Sequence, residues 1–131
     1  MYTEQIVEHF LNPRNVGRMQ DPDAVGIIGD PACGDCVKMY LKIKDETIID
    51  IKHEVFGCPA AIATTSIFTE FIKGRSLRDA CMLTGIEVAD ALGGLSDAKM
   101  HCSNLAVQAF QQALLDYLLK QTEDEHAAGN S

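Results

Sequence analysis

Val37-Lys38-Met39-Tyr40-Leu41-Lys42-Ile43-Lys44 alternates without a break: Val37, Met39, Leu41 and Ile43 fall on one side, Lys38, Tyr40, Lys42 and Lys44 on the other. That period of two predicts a half-buried strand. Asp45-Glu46-Thr47 is a tight connection. Residues 48–55 then alternate again, with Ile49, Ile51, His53 and Val55 opposite Asp50, Lys52 and Glu54. Two such runs joined by so short a turn make an antiparallel hairpin with one wet face.

Upstream, the apolar run at residues 24–29 predicts a third strand, and residues 12–23 read as an ordered loop rich in Asn, Asp and Pro. Residues 3–11 predict a helix: Thr3 is suited to the N-cap, and Ile6, Val7, Phe10 and Leu11 form its stripe. Asn12-Pro13 ends it, since the residue before proline leaves the helical region. Downstream the period becomes helical over 60–73, opened by Pro59 and stopped by Gly74. Ser76 with Asp79, and Thr84 with Glu87, predict capping boxes on two short helices, the second closed by Gly93-Gly94. A last helix is expected from about 102 to 120, with Leu105, Ala109, Leu114 and Leu118 on its apolar side. Residues 121–131, polar, acidic and small, read as a disordered tail. Strands first and helices after give an α+β fold over residues 1–120: a three-stranded antiparallel sheet with helices packed on one face and a metal site at one end.

The 131 residues suffice for one core and are too few for two. A formal net charge of −8 excludes a nucleic-acid backbone or an anionic membrane surface as the main partner. No secretory or transit signal is visible, and the longest uncharged stretch, between Glu54 and Glu70, is shorter than a membrane span and contains Gly57 and Pro59. The reading is a soluble, cytoplasmic protein.

The five cysteines are Cys33, Cys36, Cys58, Cys81 and Cys102. An odd number without a signal peptide speaks against a disulfide framework and for metal-binding or catalytic thiols. Cys33 lies on a loop between strands, where Gly34 lets the backbone curl and Asp35 adds a carboxylate. Cys58 directly precedes a proline-started helix, and Cys102 is at the start of the last one; both positions favour thiolate. His101 adjoins Cys102 as a ligand or proton donor, and Lys99 further favours the anion. Cys81 reads as a small buried hydrophobe. His9 and His53 read as structural. Cys33-Gly34-Asp35-Cys36 is a C-x-x-C, but Cys36 opens the alternating strand and its side chain is expected to point away from Cys33. A thiol oxidoreductase built on that pair lacks the βαβ context such sites use. Structural zinc sites and permanent iron–sulfur clusters use four soft ligands. Here Asp or His must complete a set of three thiolates, and a hard oxygen suits an iron–sulfur centre less well, so a cluster so held is easier to release.

Four stretches in order, Asn12-Pro13-Arg14-Asn15-Val16-Gly17, Pro31-Ala32-Cys33-Gly34-Asp35, Phe56-Gly57-Cys58 with Ala61-Ile62-Ala63, and Lys99-Met100-His101-Cys102-Ser103-Asn104-Leu105-Ala106, carry a resemblance to the IscU/NifU family of iron–sulfur cluster assembly scaffolds. It runs from Tyr2 to about Leu119. The resemblance implies a scaffold that receives persulfide sulfur from a cysteine desulfurase, takes up iron, with a frataxin-like protein as possible iron donor, builds a [2Fe-2S] cluster and passes it to apo-proteins. It implies Cys33, Cys58 and Cys102 as thiolate ligands, Cys102 as persulfide acceptor, Asp35 as the residue that keeps the cluster labile, and His101 as alternative ligand. Lys99 matches the family's lysine beside the site, and Tyr2 a tyrosine tied to transient homodimer formation. Zinc is implied at the same site when iron is absent, which leaves a zinc-bound sulfur carrier as the alternative to the scaffold; either is a carrier rather than a turnover enzyme. The resemblance does not extend to the chaperone-recognition stretch Leu-Pro-Pro-Val-Lys, here Leu95-Ser96-Asp97-Ala98-Lys99, nor to Cys36, where many members have no cysteine. The segment before Cys102 has no room for the long insertion of the SufU-type branch, which favours the scaffold.

Overall fold

The structure is a computed structural model that describes residues 2–29 and 34–129, with side chains described up to Thr122 except that of Ala98. The elements are α1 (Glu4–Leu11), β1 (Ala24–Gly29), β2 (Cys36–Lys44), β3 (Thr47–Phe56), α2 (Pro59–Ile72), α3 (Leu77–Cys81), α4 (Gly85–Ala91) and α5 (Met100–Gly129). A 3₁₀ turn, Asp97–Lys99, leads into α5. The sheet has the order β1-β2-β3, antiparallel throughout. The expected α+β architecture is present.

One face of the sheet is covered and one is open. Val37, Met39, Leu41, Ile43, Ile48 and Ile51 point into a core closed by Phe68 and Ile72 of α2 and by Ala106, Ala109, Phe110 and Ala113 of α5. Phe68 and Phe110 meet at the centre, their ring centroids 5.9 Å apart. The alternation predicted for β2 holds, but that of β3 fails at its start. Lys42 pairs with Asp50 and Ile43 with Ile48, so Ile49 is an extra residue in a bulge. The inserted residue reverses the faces: Ile48 is buried and Ile49 exposed, opposite to the expectation for Ile49. On the open face Tyr40 is nevertheless buried. Its hydroxyl donates to Glu54 at 2.6 Å, and the Lys38 ammonium sits 5.1 Å from its ring centroid.

Both sheet edges are protected. Along β3, the loop after α1 adds backbone hydrogen bonds from Gly17 N to His53 O and from His53 N to Asn15 O, each 2.9 Å. The buried His53 ring donates from Nε2 to Arg14 O at 2.8 Å, which fixes the tautomer. On β1 the outward N–H of Val25 donates to Asp116 of α5 at 3.1 Å. An edge N–H bonded within the chain is not offered to a neighbouring strand. Helix α5 lies so close to β1 that a Cβ on Gly26 would collide with the Ala109 carbonyl and the Ala113 amide. The stripe it buries is Ala106, Ala109, Phe110 and Ala113, with Tyr117 partly covered; Leu118, one position off that stripe, is exposed.

The caps fall where expected: the side chains of Thr3, Ser76 and Thr84 accept from Ile6, Asp79 and Glu87 respectively. Two corrections concern helix ends. Cys81 is exposed, because α3 is only five residues long and turns Ala80, not its neighbour, into the core. Helix α5 begins at Met100 and continues to Gly129 rather than ending near 120. Residues 121–128 contain Gln, Glu and Ala, good helix formers, and neither Gly nor Pro. Among the described residues, no helix is long and apolar enough to cross a membrane.

Candidate metal centre

Three chain segments converge where the ends of β2 and β3 meet the starts of α2 and α5. Gly34 stands just before β2 at φ +116°, and the carboxylate of Asp35 next to it lies over the turn after β3. Gly57 in that turn leaves room for the carboxylate: a Cβ there would collide with Asp35 Oδ1. The same oxygen accepts from the Cys58 amide at 3.2 Å. Cys58 is the N-cap of α2, its side chain making no capping bond, and Pro59 occupies the first helical position. The Cys58 thiol is therefore uncommitted to the helix and projects toward α5.

Cys102 lies in the first turn of α5 and is fully buried. Its carbonyl accepts from Thr64 Oγ1 of α2 at 3.1 Å, which ties the two helix starts together. Its Sγ lies 3.7 Å from Cys58 Sγ. His101 Nε2 is 3.2 Å from Asp35 Oδ2 and 3.6 Å from Cys102 Sγ. Ligand atoms of Asp35, Cys58 and Cys102 all lie within 4.8 Å of one another, close enough to bind one ion. Cys33, expected as the third thiolate, lies outside the described residues.

The electrostatics differ from the expectation that the helix start favours a Cys102 thiolate. Burial, then the charge of Cys58 and its hydrogen bond, push the Cys102 thiol up to about 12, while Lys99 opposes the shift. A helix N-terminus contributes only partial charge, and here desolvation beside a second sulfur outweighs it. The Cys102 proton must leave when a cation binds there, so metal uptake at this site is coupled to proton release. Lys99 approaches from the other side: Cys58 and then Tyr2 raise its pKa. Tyr2 and Lys99 share a cavity of about 160 Å³ with Ile6, Gly94, Leu95 and Ser96. Thr3 Oγ1, bonded to Leu92 O, anchors this N-terminal segment.

Cys36 falls elsewhere, and so do His9 and His53, which were expected to be structural. Cys36 pairs with Gly29 and Phe56 and lies with Lys38, Glu54, Val55 and Phe56 in a hollow, outside the Asp35–Cys58–Cys102 group. His9 bonds Ser66 Oγ at 2.8 Å, and burial, then Arg14, lower its pKa. His53 is lowered by burial first. Both are structural. Sequence reasoning missed Gly57 as the residue that admits Asp35 and Thr64 as the clasp on Cys102. Only the adjacency Gly57-Cys58 signalled the first, and no local signal marked the second.

The family model described as NifU-like N terminal domain matches residues 1–124. The chain belongs to this family. Curated relatives agree. It is 52% identical over 120 residues to the iron-sulfur cluster assembly scaffold protein IscU 1 of Archaeoglobus fulgidus, covering 92% of this chain and 78% of the relative. It is 42% identical over 123 residues to the iron-sulfur cluster assembly scaffold protein IscU of Escherichia coli, covering 91% and 95%. Among solved structures, the N-terminal part of a NifU-like protein from Brucella abortus superposes with a TM-score of 0.70 at 23% identity, covering 89% of this chain and 94% of that one, a likeness of fold.

Proposed function

We propose that this protein is a scaffold on which a [2Fe-2S] cluster is assembled from iron and persulfide sulfur, and from which the cluster passes to apo-proteins. Iron and sulfide are its cargo, and it carries rather than turns over. The observation that carries this reading is the gathering of Asp35, Cys58 and Cys102 ligand atoms within 4.8 Å, inside a family whose curated members are named cluster assembly scaffolds. In this reading Cys33, Cys58 and Cys102 are the thiolate ligands. Cys102 first accepts sulfur from a cysteine desulfurase, Asp35 keeps the cargo labile, and His101, within reach of both Asp35 and Cys102, is the alternative ligand. Lys99 offsets negative charge at Cys58. Tyr2, beside Lys99, reaches across a transient homodimer. An iron donor of the frataxin type and a reducing, cytoplasmic setting complete the picture.

The test is anaerobic reconstitution with iron, cysteine and a desulfurase, followed by transfer to an apo-ferredoxin. The reading expects about two irons and two sulfides per chain, or per dimer if the cluster is shared, and loss of both from this chain as the acceptor gains them. Binding of iron without any sulfide would sink it.

The close S, S, O set also fits a zinc ion. A zinc-bound sulfur carrier uses the same residues, with Asp35, Cys58 and Cys102 holding a metal that supplies Lewis acidity and charge. It is separated from the scaffold by zinc that stays bound during sulfur delivery.

A further inference from the structure

Cys58 Sγ and Cys102 Sγ are 3.7 Å apart, in contact with each other. The two sulfurs differ in how they are held. Cys102 is fully buried and its backbone is clasped by Thr64. Cys58 is only half-buried, sits at the N-cap and makes no capping bond, so its side chain can swing while Cys102 stays. A disulfide needs the sulfurs at about 2.05 Å, so the freer Cys58 sulfur must move in from the 3.7 Å contact for the bond to form.

We propose that Cys58 is the resolving thiol for sulfur carried on Cys102, so that sulfide is released inside the site by the chain's own cysteines. This rests on the reading of Cys102 as the persulfide acceptor. Cys58, as thiolate, attacks the inner sulfur of the Cys102 persulfide. A bond forms between Cys58 Sγ and Cys102 Sγ. The bond between Cys102 Sγ and the outer sulfur breaks, and its electron pair leaves with the outer sulfur as hydrosulfide. The outer sulfur gains one electron and the Cys58 sulfur loses one, while Cys102 Sγ, bonded to one carbon and one sulfur throughout, is unchanged. The proton already on the outer sulfur leaves with it. The products are a Cys58–Cys102 disulfide and HS⁻, and no other reductant enters this step. An external dithiol then reduces the disulfide by exchange, becoming a cyclic disulfide itself and returning both thiols.

The geometry favours the inner sulfur, since the contact seen is to Cys102 Sγ itself. Sulfide is thereby released beside Asp35 and the new disulfide rather than in bulk solvent. It also assigns Cys58 a task before it serves as a ligand.

The test uses the full-length, metal-free protein under a chelator without oxygen, loaded briefly with inorganic polysulfide and desalted. Intact mass and free sulfide are followed with time, and peptide mapping locates each sulfur. Expected is a species heavier by one sulfur that decays to one lighter by two hydrogens than the reduced chain, with one sulfide released and Cys58 linked to Cys102. In Cys58→Ser the Cys102 persulfide should outlive that of the parent by at least about ten-fold. Circular dichroism checks that this variant is folded, and alkylation of Cys58 in the parent chain provides the same block without a substitution. Equal lifetimes with Cys58 blocked, migration of the sulfur onto Cys58 without free sulfide, or a disulfide from Cys102 to Cys33 would each overturn the proposal. Polysulfide loading needs no desulfurase. A chain that resolves polysulfide sulfur but takes none from a desulfurase would contradict the acceptor role of Cys102 and leave the Cys58 chemistry standing.

Discussion

The first turn of α5 and its middle meet the rest of the molecule on opposite terms. In the middle, Ala109 and Ala113 lie against Gly26 with no room for a side chain, and Phe110 fills the centre against Phe68. That seam is apolar and close-packed. In the first turn, the buried Cys102 faces the half-buried Cys58 and Asp35, a set of two thiols and a carboxylate bridged by His101. Apolar burial stabilises the seam whatever is bound. The site is held in place by the seam and by the Thr64 clasp, and burial beside Cys58 opposes ionisation of Cys102. Substitutions in the seam should therefore act on stability, and those in the site on binding.

The largest expected effect is in the seam. Gly26→Val forces α5 away from β1 and should lower unfolding free energy by about 3 kcal/mol or more, read by denaturant titration. Metal binding should fall only because the folded population falls. Loss of binding with an unchanged unfolding midpoint would break the division between the two regions.

The next effect is the pH dependence of metal affinity at the site. The Cys102 proton, held up to a pKa of about 12, must leave when a cation binds. Below that pKa each added pH unit should tighten zinc binding by about ten-fold from this group alone. The trend should continue above pH 9, the ordinary thiol value, measured by competition with a chelator. Cys102→Ser should reduce the slope by about one. A plateau near pH 9 in the parent chain would mean that burial does not govern this thiol.

Asp35→Ala should leave a cluster that forms but transfers to an acceptor roughly five- to ten-fold more slowly, because a hard ligand is lost and His101 can replace it. Unchanged transfer kinetics would remove the carboxylate as the lability device. The smallest effect is expected outside the site. Cys36→Ser, in the hollow with Lys38 and Phe56, should leave the cluster spectrum intact; its loss would make Cys36 a ligand.

The hairpin was legible because one of its faces is wet: Val37, Met39, Leu41 and Ile43 could be told from the lysines between them. Legibility failed at Ile48 and Ile49, since a bulge is a pairing event and leaves no trace in one strand's own alternation. The placing of Cys58 and Cys102 at helix starts was legible because proline and the helix period marked those starts. The rise of the Cys102 pKa was not, because desolvation depends on what packs around the thiol, and Ala60, Ala61 and Leu95 come from elsewhere in the chain. Gly57 was hidden for the same reason: its purpose is the space it leaves for Asp35, which follows β1 and approaches from across the sheet end. The short span of α3 likewise decided the exposure of Cys81, which its apolar neighbours Ala80 and Leu83 did not betray.

The central claim is that the Asp35–Cys58–Cys102 cluster holds iron–sulfur cargo. The most direct measurement is the metal and acid-labile sulfide content of the protein purified without oxygen. The account predicts iron and sulfide in about equal amounts, both lost together in Cys58→Ser. Tightly bound zinc with no sulfide, unchanged by exposure to iron and a sulfur donor, would contradict it.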